Sequence, residues 1–378
     1  MGLTRLVVLL LPVLGSAAAA QQDADAVLRG EYVFHAGACD SCHTDHPDHG
    51  AFLAGGRRME TQFGTFYVPN ITPDEETGIG AWSAEDFRRA MIEGETPAGS
   101  HYYPVFPYRW YTGMSEQDLA DLWVYLQSVP PVYNRVRPHE IPFPFNLRFL
   151  LLGWKLINFD QGETVFDPER SEAWNRGAYL VNHLGHCGAC HTPKMLMGAV
   201  FRSDEFLAGS EVIPGPYPAP NITPHDVTGI GQWTVEDVVR ALKRSIAPDG
   251  VPIRGPMAEY VNTGSSYLSE QDLEAAAIYL LSLPPEQGPV GETEERLDRR
   301  LLPEGEAQSD TAGTSGGGGM GSSGMGLLRA AGGGRIRAKW SASARISSSS
   351  SRSAISAMTS SGSLRRMPAF HSSSCRSV

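Results

Sequence analysis

The sequence predicts an all-α protein in which one helical domain occurs twice, with loops rich in glycine and proline. The first observation is a repeat: Pro-Asn-Ile-Thr-Pro occurs at residues 69–73 and 220–224, and other segments recur in the same order at an offset of about 150. The second is helix punctuation, because Ser or Thr precedes an acidic residue by three positions where apolar periodicity begins. The third is the scarcity of alternating, strand-like runs.

Each copy contains three predicted helices. The first covers roughly residues 25–40 in one copy and 173–188 in the other. Four later helix starts share a Ser or Thr followed three positions on by an acid, and these are Ser83, Ser115, Thr234 and Ser269. Proline pairs at 130–131 and 284–285 end the last helix of each copy, because proline cannot continue a helix.

Each predicted first helix leads into the pentapeptide Cys-x-x-Cys-His, at residues 39–43 and 187–191. This is the attachment signal of c-type haem: each thiol can bond one vinyl group, and the adjacent histidine supplies the proximal iron ligand. The predicted attachment and proximal-ligand residues are Cys39, Cys42, His43, Cys187, Cys190 and His191. We therefore expect two covalently bound haem c groups.

Other uses of these cysteines fit the sequence less well. A redox-active Cys-x-x-Cys is expected near a βαβ pattern, which is not visible in the sequence. A zinc site needs two nearby cysteine pairs, whereas these pairs lie 148 residues apart. Disulfides within each pair would leave the two histidines unexplained. The fifth cysteine, Cys375, lies alone in a low-complexity segment and is expected to be incidental.

The order of motif helix, loop, middle helix, ligand loop and last helix resembles class I cytochrome c. The phrase Asn-Ile-Thr-Pro followed by Gly-Ile-Gly-x-Trp, at 70–82 and 221–233, more narrowly resembles the cytochrome c subunits of membrane-bound alcohol and gluconate dehydrogenases. The resemblance covers roughly residues 25–288. Those subunits usually carry three haems, so the resemblance implies a di-haem member of the same superfamily, with two tandem class I cytochrome c domains.

The resemblance places a second axial ligand in the loop before the last helix of each copy. In the second copy this residue is Met257. In the first copy the aligned positions, Val105 and Phe106, cannot ligate iron, and Met114 in the same loop is the predicted ligand. His101 and an open site are the alternatives. Methionine opposite histidine would raise the reduction potential of the haem.

The repeated Asn70 and Asn221, together with Trp82 and Trp233, are candidates for the edge of each haem. An amide or indole N–H can donate to a buried propionate. Packing within the loop is the alternative, since a duplicated position shows only shared ancestry.

Charge and the N-terminal segment bear on location and partners. Residues 1–20 are typical of a secretory signal, with Arg5, a short apolar run and small residues at 16–20, and export to the periplasm suits covalent haem attachment. None of the 42 acidic residues but nine of the 31 basic ones follow Asp310, so residues 1–310 carry a net −20. This acidity argues against nucleic-acid binding and suggests steering toward basic partners.

The predicted organisation has five parts: a signal peptide over 1–20, a first cytochrome c domain over 21–137, a linker over 138–172, a second domain over 173–288, and a further linker with a disordered low-complexity tail over 289–378. The first linker contains an apolar stretch that either packs between the copies or forms a docking surface. An exposed apolar patch is a liability without a partner, which favours packing. No function is assigned to the tail.

Electron transfer is the predicted function. Two haems in one exported chain would accept electrons from a periplasmic dehydrogenase and pass them to a downstream cytochrome or terminal oxidase, without bond chemistry. Peripheral membrane association is a further expectation. The alternative is a di-haem enzyme of the peroxidase or thiosulfate dehydrogenase type, which needs one haem with an open or unusual sixth position.

Overall fold

The computed structural model describes residues 24–162, 164, 166–195, 200–211 and 218–288; the predicted leader and tail lie outside this part. The fold is mostly helical, as predicted. Its α-helices are α1 (residues 24–36), α2 (Cys39–His43), α3 (Ala84–Glu93), α4 (Tyr108–Tyr111), α5 (Glu116–Ser128), α6 (Leu150–Asn158), α7 (Glu172–Tyr179), α8 (Gly188–His191), α9 (Val235–Arg244), α10 (Gly255–Thr263) and α11 (Glu270–Ser282). None of these described helices has the length and apolar character needed to cross a bilayer.

The first and last helices of each copy cross at a glycine. A Cβ atom on Gly30 would lie 2.0 Å from the carbonyl oxygen of Asp121, and one on Gly177 would lie 1.9 Å from that of Ala275. Only glycine permits this approach, so α1 packs directly on α5 and α7 on α11. The same crossing in both copies is the structural counterpart of the sequence repeat.

An ion pair fixes each crossing. Arg29 donates to both carboxylate oxygens of Asp121, at 2.7 and 2.9 Å, and Arg176 binds Asp272 in the same way, at 2.9 and 2.7 Å. Paired, two-pronged contacts of this kind hold their geometry better than single ones. Both carboxylates are buried, so each needs its arginine partner to offset the loss of solvent.

The helices α3 and α9 begin as predicted, with complete capping boxes. Ser83 accepts from the amide of Asp86, whose carboxylate accepts in return from the amide of Ser83. Thr234 and Asp237 repeat this arrangement at α9. Local sequence is sufficient for these caps because all of the partners lie within four residues.

At α5 the predicted box is completed by a tyrosine of the other copy. Ser115 accepts from the amide of Asp118, as expected. The amide of Ser115, however, donates to the hydroxyl of Tyr179 at 2.9 Å, and that hydroxyl donates to the Asp118 carboxylate at 2.5 Å. The Tyr179 hydroxyl therefore bridges the Ser115 amide and the Asp118 carboxylate, whose counterparts bond directly in the capping boxes of α3 and α9.

The reciprocal contact occurs at α11. The amide of Ser269 donates to the hydroxyl of Tyr32 at 3.1 Å, and this hydroxyl donates to Asp272 at 2.6 Å. Tyr32 and Tyr179 hold equivalent places in the repeat. Each copy thus caps the last helix of the other, an exchange that gives the two halves an approximately two-fold relation.

The two halves also share an apolar core. The largest cluster contains Phe34 and Leu122 from the first copy with Leu180, Leu184 and Leu273 from the second. Residues of the second copy form another cluster of their own. The described residues accordingly fall in a single compact unit, and the limits of the two proposed domains stay a prediction.

The helix before each motif does not run into it, contrary to the prediction. Ala38 and His186, immediately before the first cysteines, have left-handed backbones with φ of 47° and 39°, and each separates the motif helix from the one before it. In the second copy a π-helical turn over Leu180–Leu184 absorbs one extra residue. The repeat offset accordingly changes from 147 before this turn to 148 at the cysteines.

Two short hairpins were not predicted. The strands β1 (Arg58–Thr61) and β2 (Gly64–Tyr67) pair antiparallel, and β3 (Lys194–Met195) pairs with β4 (Val200–Phe201). Runs of two to four residues are too short to give a recognisable alternation.

The linker helix α6 contacts both copies. On the second copy, its Asn158 side-chain oxygen accepts from the amide of Phe201 in β4 at 3.1 Å. Leu151 is buried in a small cluster with Phe66 and Tyr103. Leu152 and Leu156, on other sides of this helix, are 52% and 88% exposed. The helix therefore packs on both copies, as the packing interpretation expects, but it leaves part of its apolar surface exposed.

Candidate functional site: two haem attachment motifs

The two Cys-x-x-Cys-His segments form the short helices α2 and α8. One helical turn separates the cysteines of each motif, which places both thiols on one side of the helix. All four thiols are free. Burial raises the pKa of Cys39 and of Cys187 to about 12, so the thiols stay protonated. A thiol of the redox-exchange type is activated by a lowered pKa, so these pairs do not fit that chemistry.

A neighbouring backbone carbonyl fixes which ring nitrogen of each motif histidine carries the proton. Nδ1 of His43 lies 2.8 Å from the carbonyl oxygen of Pro69, and Nδ1 of His191 lies 2.7 Å from that of Pro220. A backbone carbonyl can only accept, so Nδ1 carries the proton and Nε2 keeps its lone pair for a metal. Metal-bound histidines are oriented by outer contacts of this kind.

The charge state of the histidines also fits ligation. Burial lowers the pKa of His43 to about 4, with a smaller opposing effect of the bond to Pro69. Burial likewise lowers the pKa of His191. Both imidazoles are therefore neutral near pH 7, which is the form that binds a metal. The donor set of each motif, two thiols and one neutral imidazole, fits a covalently attached haem.

The carbonyl that accepts from each motif histidine belongs to the first proline of the repeated Pro-Asn-Ile-Thr-Pro. Sequence reasoning missed this role. A glycine that packs on each of these loops also bonds to the motif: the amide of Gly55 donates to the carbonyl of His43 at 2.8 Å, and that of Gly209 to the carbonyl of His191 at 2.7 Å. The recurrence of the phrase was the available signal. It did not say which of its residues faces the histidine.

The paired asparagines organise their own loops. The Asn70 amide donates to the carbonyl of Val132 at 2.8 Å, and its oxygen accepts from the amide and hydroxyl of Thr72. Asn221 makes the same contacts with Thr223 and with the carbonyl of Glu286. These bonds favour the loop-packing interpretation over donation to a propionate.

The predicted methionine ligands lie in different environments. Met257 is half-buried near the start of α10 and belongs to none of the apolar clusters of the described residues. Met114 is 2% exposed and lies in the shared apolar cluster, against which Cys39 also packs. Its counterpart before α11 is Leu268, a buried residue that cannot ligate iron.

The alternative ligand His101 is engaged elsewhere. Its Nδ1 lies 3.1 Å from the ammonium of Lys155 and 3.5 Å from the carboxylate of Glu95. Burial, followed by the charge of Lys155, lowers the pKa of His101. These contacts tie the ring to α6 and to the turn after α3.

Each motif is covered by the other copy. The ring of Trp110, in the first copy, packs on the second motif so closely that a Cβ on Gly188 would lie 2.3 Å from it. Arg57 donates to the carbonyl of Ser41 within the first motif and forms an ion pair with Glu259 of the second copy. Both motifs therefore lie at the shared interface.

No family model matches the chain. A protein described as "Diheme cytochrome c-type" from Cereibacter sphaeroides is 41% identical over 259 residues, which are 68% of this chain and 85% of that relative. The chain belongs to the di-haem c-type cytochromes. The repeated motifs and their matched proline contacts are the features of this cytochrome that agree with the relationship.

Longer relatives are cytochrome c subunits of dehydrogenases by name. The gluconate 2-dehydrogenase cytochrome c subunit of Pantoea cypripedii is 36% identical over 285 residues, 73% of this chain and 64% of that subunit. The alcohol dehydrogenase (quinone) cytochrome c subunit of Gluconobacter oxydans is 36% identical over 280 residues, 71% of this chain and 57% of that subunit. The resemblance drawn from the motifs is confirmed, and the cytochrome spans less than two thirds of these two subunits.

Proposed function

We propose that this cytochrome is an exported electron carrier that accepts electrons from a dehydrogenase and passes them to a downstream cytochrome or terminal oxidase. The supporting observation is the pair of motif histidines whose Nδ1 atoms are committed to Pro69 and Pro220. Cys39 and Cys42 would hold one haem c, and Cys187 and Cys190 the other. When bound, haem c supplies a one-electron redox couple.

The haem content tests this proposal first. The full chain is expressed with its own leader in a host that matures c-type cytochromes, and the periplasmic fraction is separated. We expect the cytochrome in that fraction, with two covalent haems by intact mass. Retention in the cytoplasm would contradict export, and a mass without haem would contradict the function.

The second axial ligands are proposed as Met257 and Met114. Leu is the test residue because Leu268 already occupies the place equivalent to Met114, so Met114→Leu is expected to fold. Each substitution should remove the near-infrared charge-transfer band of one methionine-ligated ferric haem and lower one midpoint potential. An unchanged spectrum in Met114→Leu, with a changed one in Met257→Leu, would assign Met114 to the core.

The dehydrogenase partner is proposed from the names of the longer relatives and from the acidity of residues 1–310. If a basic surface docks on this acidic body, the rate of reduction by the dehydrogenase falls as salt rises, because screening shortens the reach of the charges. Candidate donors are tested by stopped-flow reduction at several ionic strengths. A rate that does not depend on salt would contradict electrostatic steering.

A di-haem enzyme is the second candidate, favoured by one observation. The residue of the first copy aligned with Met257 is Val105 or Phe106, and neither can ligate iron. The residue of the second copy aligned with Met114 is Leu268, so the repeat gives no support to Met114 as a ligand. An open first haem would bind cyanide or carbon monoxide rapidly. Slow or absent binding at both haems would leave electron transfer as the function.

A further inference from the structure

Three aromatic rings lie between the two haem attachment motifs. The hydroxyl of Tyr111 donates to the carbonyl of Gly37 at 3.4 Å, and its ring centroid is 5.3 Å from that of His186. The ring of His186 is in turn 6.5 Å from that of Tyr260. Tyr111 comes from the first copy and the other two from the second, so the row of rings crosses the interface.

Each end of this row reaches an attachment thiol. A Cβ on Gly37 would lie 3.3 Å from Sγ of Cys39 and 3.7 Å from the Tyr111 hydroxyl. A Cβ on Gly185 would lie 3.5 Å from Sγ of Cys187 and 2.8 Å from the Tyr260 hydroxyl. These glycines stand two residues before the first cysteine of each motif.

The two motifs are themselves close together. A Cβ on Gly264, in the second copy, would lie 2.8 Å from the Cβ of Ala38, the residue immediately before the first motif. The covering of each motif by the opposite copy, through Trp110 and Glu259, agrees with this proximity. Both attachment motifs therefore lie at the interface that the three rings cross.

We propose that Tyr111, His186 and Tyr260 form an aromatic bridge that positions and electronically couples the two haem sites. The inference rests on the proposed function. With both haems bound, the exchange would be a single-electron transfer that oxidises one haem and reduces the other, without a bond or a proton moving. The three packed rings would provide a continuous path of protein atoms between the two attachment motifs.

The bridge is neutral. Tyr111 is 6% exposed, and burial raises its pKa well above the usual range, so its hydroxyl stays protonated. Burial also raises the pKa of Tyr260 and lowers that of His186. The three rings therefore place no charge between the attachment motifs and would act through spacing and packing.

The central ring, that of His186, has no counterpart in the first copy. The residue in that place in the first copy therefore suggests a matched variant. Ala38 occupies in the first copy the place that His186 occupies in the second, and both have left-handed backbones. Alanine is therefore compatible with this backbone conformation in the same fold. His186→Ala removes the ring and is expected to leave the motif folded.

The test uses the full, haem-loaded chain. Half-reduced protein is perturbed by a light-driven electron pulse, and the rate of electron equilibration between the haems is followed by absorbance, while a potential titration gives the spacing of the two midpoint potentials. The variants are His186→Ala, Tyr111→Leu and Tyr111→Phe. Tyr133→Leu, at an exposed tyrosine outside the bridge, is the control.

We expect His186→Ala and Tyr111→Leu to slow equilibration several-fold and to change the spacing of the potentials. Tyr111→Phe and the control should keep the wild-type rate. Wild-type rates in both His186→Ala and Tyr111→Leu, with two haems attached by mass, would overturn the bridge and leave the proposed function standing. A loss in Tyr111→Phe equal to that in Tyr111→Leu would assign the effect to the hydroxyl and also overturn it. A wild-type chain without haem would instead refute the proposed function.

Discussion

The exchange of tyrosine caps between the copies predicts a measurable cost for removing one hydroxyl. Tyr179 is 5% exposed, and its hydroxyl makes two bonds, one to the carboxylate of Asp118 and one from the amide of Ser115. Tyr179→Phe keeps the ring in the shared core and deletes both bonds. The experiment therefore isolates the polar contact between the halves.

The magnitude follows from the two bonds. A hydrogen bond to a charged group contributes about 1.5–3 kcal/mol and a neutral one about 0.5–1.5 kcal/mol. Asp118 is only half-buried, so water replaces part of the lost contact, and the lower limits apply. We expect Tyr179→Phe to lower the free energy of unfolding by about 2 kcal/mol. This corresponds to a Tm lower by roughly 4 °C for a folded part of about 250 residues.

The reciprocal variant should cost less. In Tyr32→Phe, Asp272 keeps its two-pronged bond to Arg176, so we expect a loss of about 1 kcal/mol. Tyr133→Phe, at an exposed site, should change stability by less than about 0.5 kcal/mol.

The assay is denaturant unfolding of the haem-loaded chain, followed by haem absorbance and by tryptophan fluorescence. Coincident transitions would show that the halves unfold together. A Tyr179→Phe variant as stable as Tyr133→Phe would refute the reasoning, because the cap would then contribute nothing across the interface.

Three other predictions concern the helix crossings and the cysteines. Gly177→Ala should destabilise the cytochrome by about 3 kcal/mol through overpacking, whereas Gly153→Ala, where a Cβ meets only open space, should stabilise it by up to about 1 kcal/mol, both measured by denaturant unfolding. Arg29 lowers the pKa of Asp121 against the effect of burial, so this contribution to stability is present above about pH 4 and is lost as pH falls further; Asp121→Asn should lack it at every pH in an unfolding series. Replacing both cysteines of the second motif with serine should remove one haem from the intact mass, and Cys375→Ser should remove none.

Local features were predictable from the sequence. The helices α3 and α5 begin one residue after Ser83 and Ser115, as the capping pattern predicts, and the second copy repeats this at Thr234 and Ser269. Caps depend on residues within one turn, so no knowledge of the fold is needed. The attachment motifs are local for the same reason.

Features that depend on residues distant in the sequence were not predictable. The partner of the Ser115 amide is Tyr179, which lies 64 residues away in the chain. The acceptors of the motif histidines, Pro69 and Pro220, are also remote from them in sequence. Periodicity describes one element at a time, so it cannot show which side chain of a second element completes a contact.

The exposure of the apolar linker was also not predictable from the sequence. An apolar stretch predicts burial on average, and Leu151 is buried as expected. Phe149, Leu156 and Ile157 are 65%, 88% and 69% exposed, because the elements that contact this nine-residue helix leave its other sides uncovered. The sequence reveals the apolar character of this helix but not how much of it the rest of the chain covers.

The intact mass of the purified, denatured chain tests the central claim most directly, because thioether-bound haem remains attached when the fold is lost. Two haems per chain, with colour that stays with the polypeptide in acidified acetone, are the predicted result. A mass that fits one haem or none, or pigment that passes into the solvent, would contradict the assignment of both motifs as attachment sites.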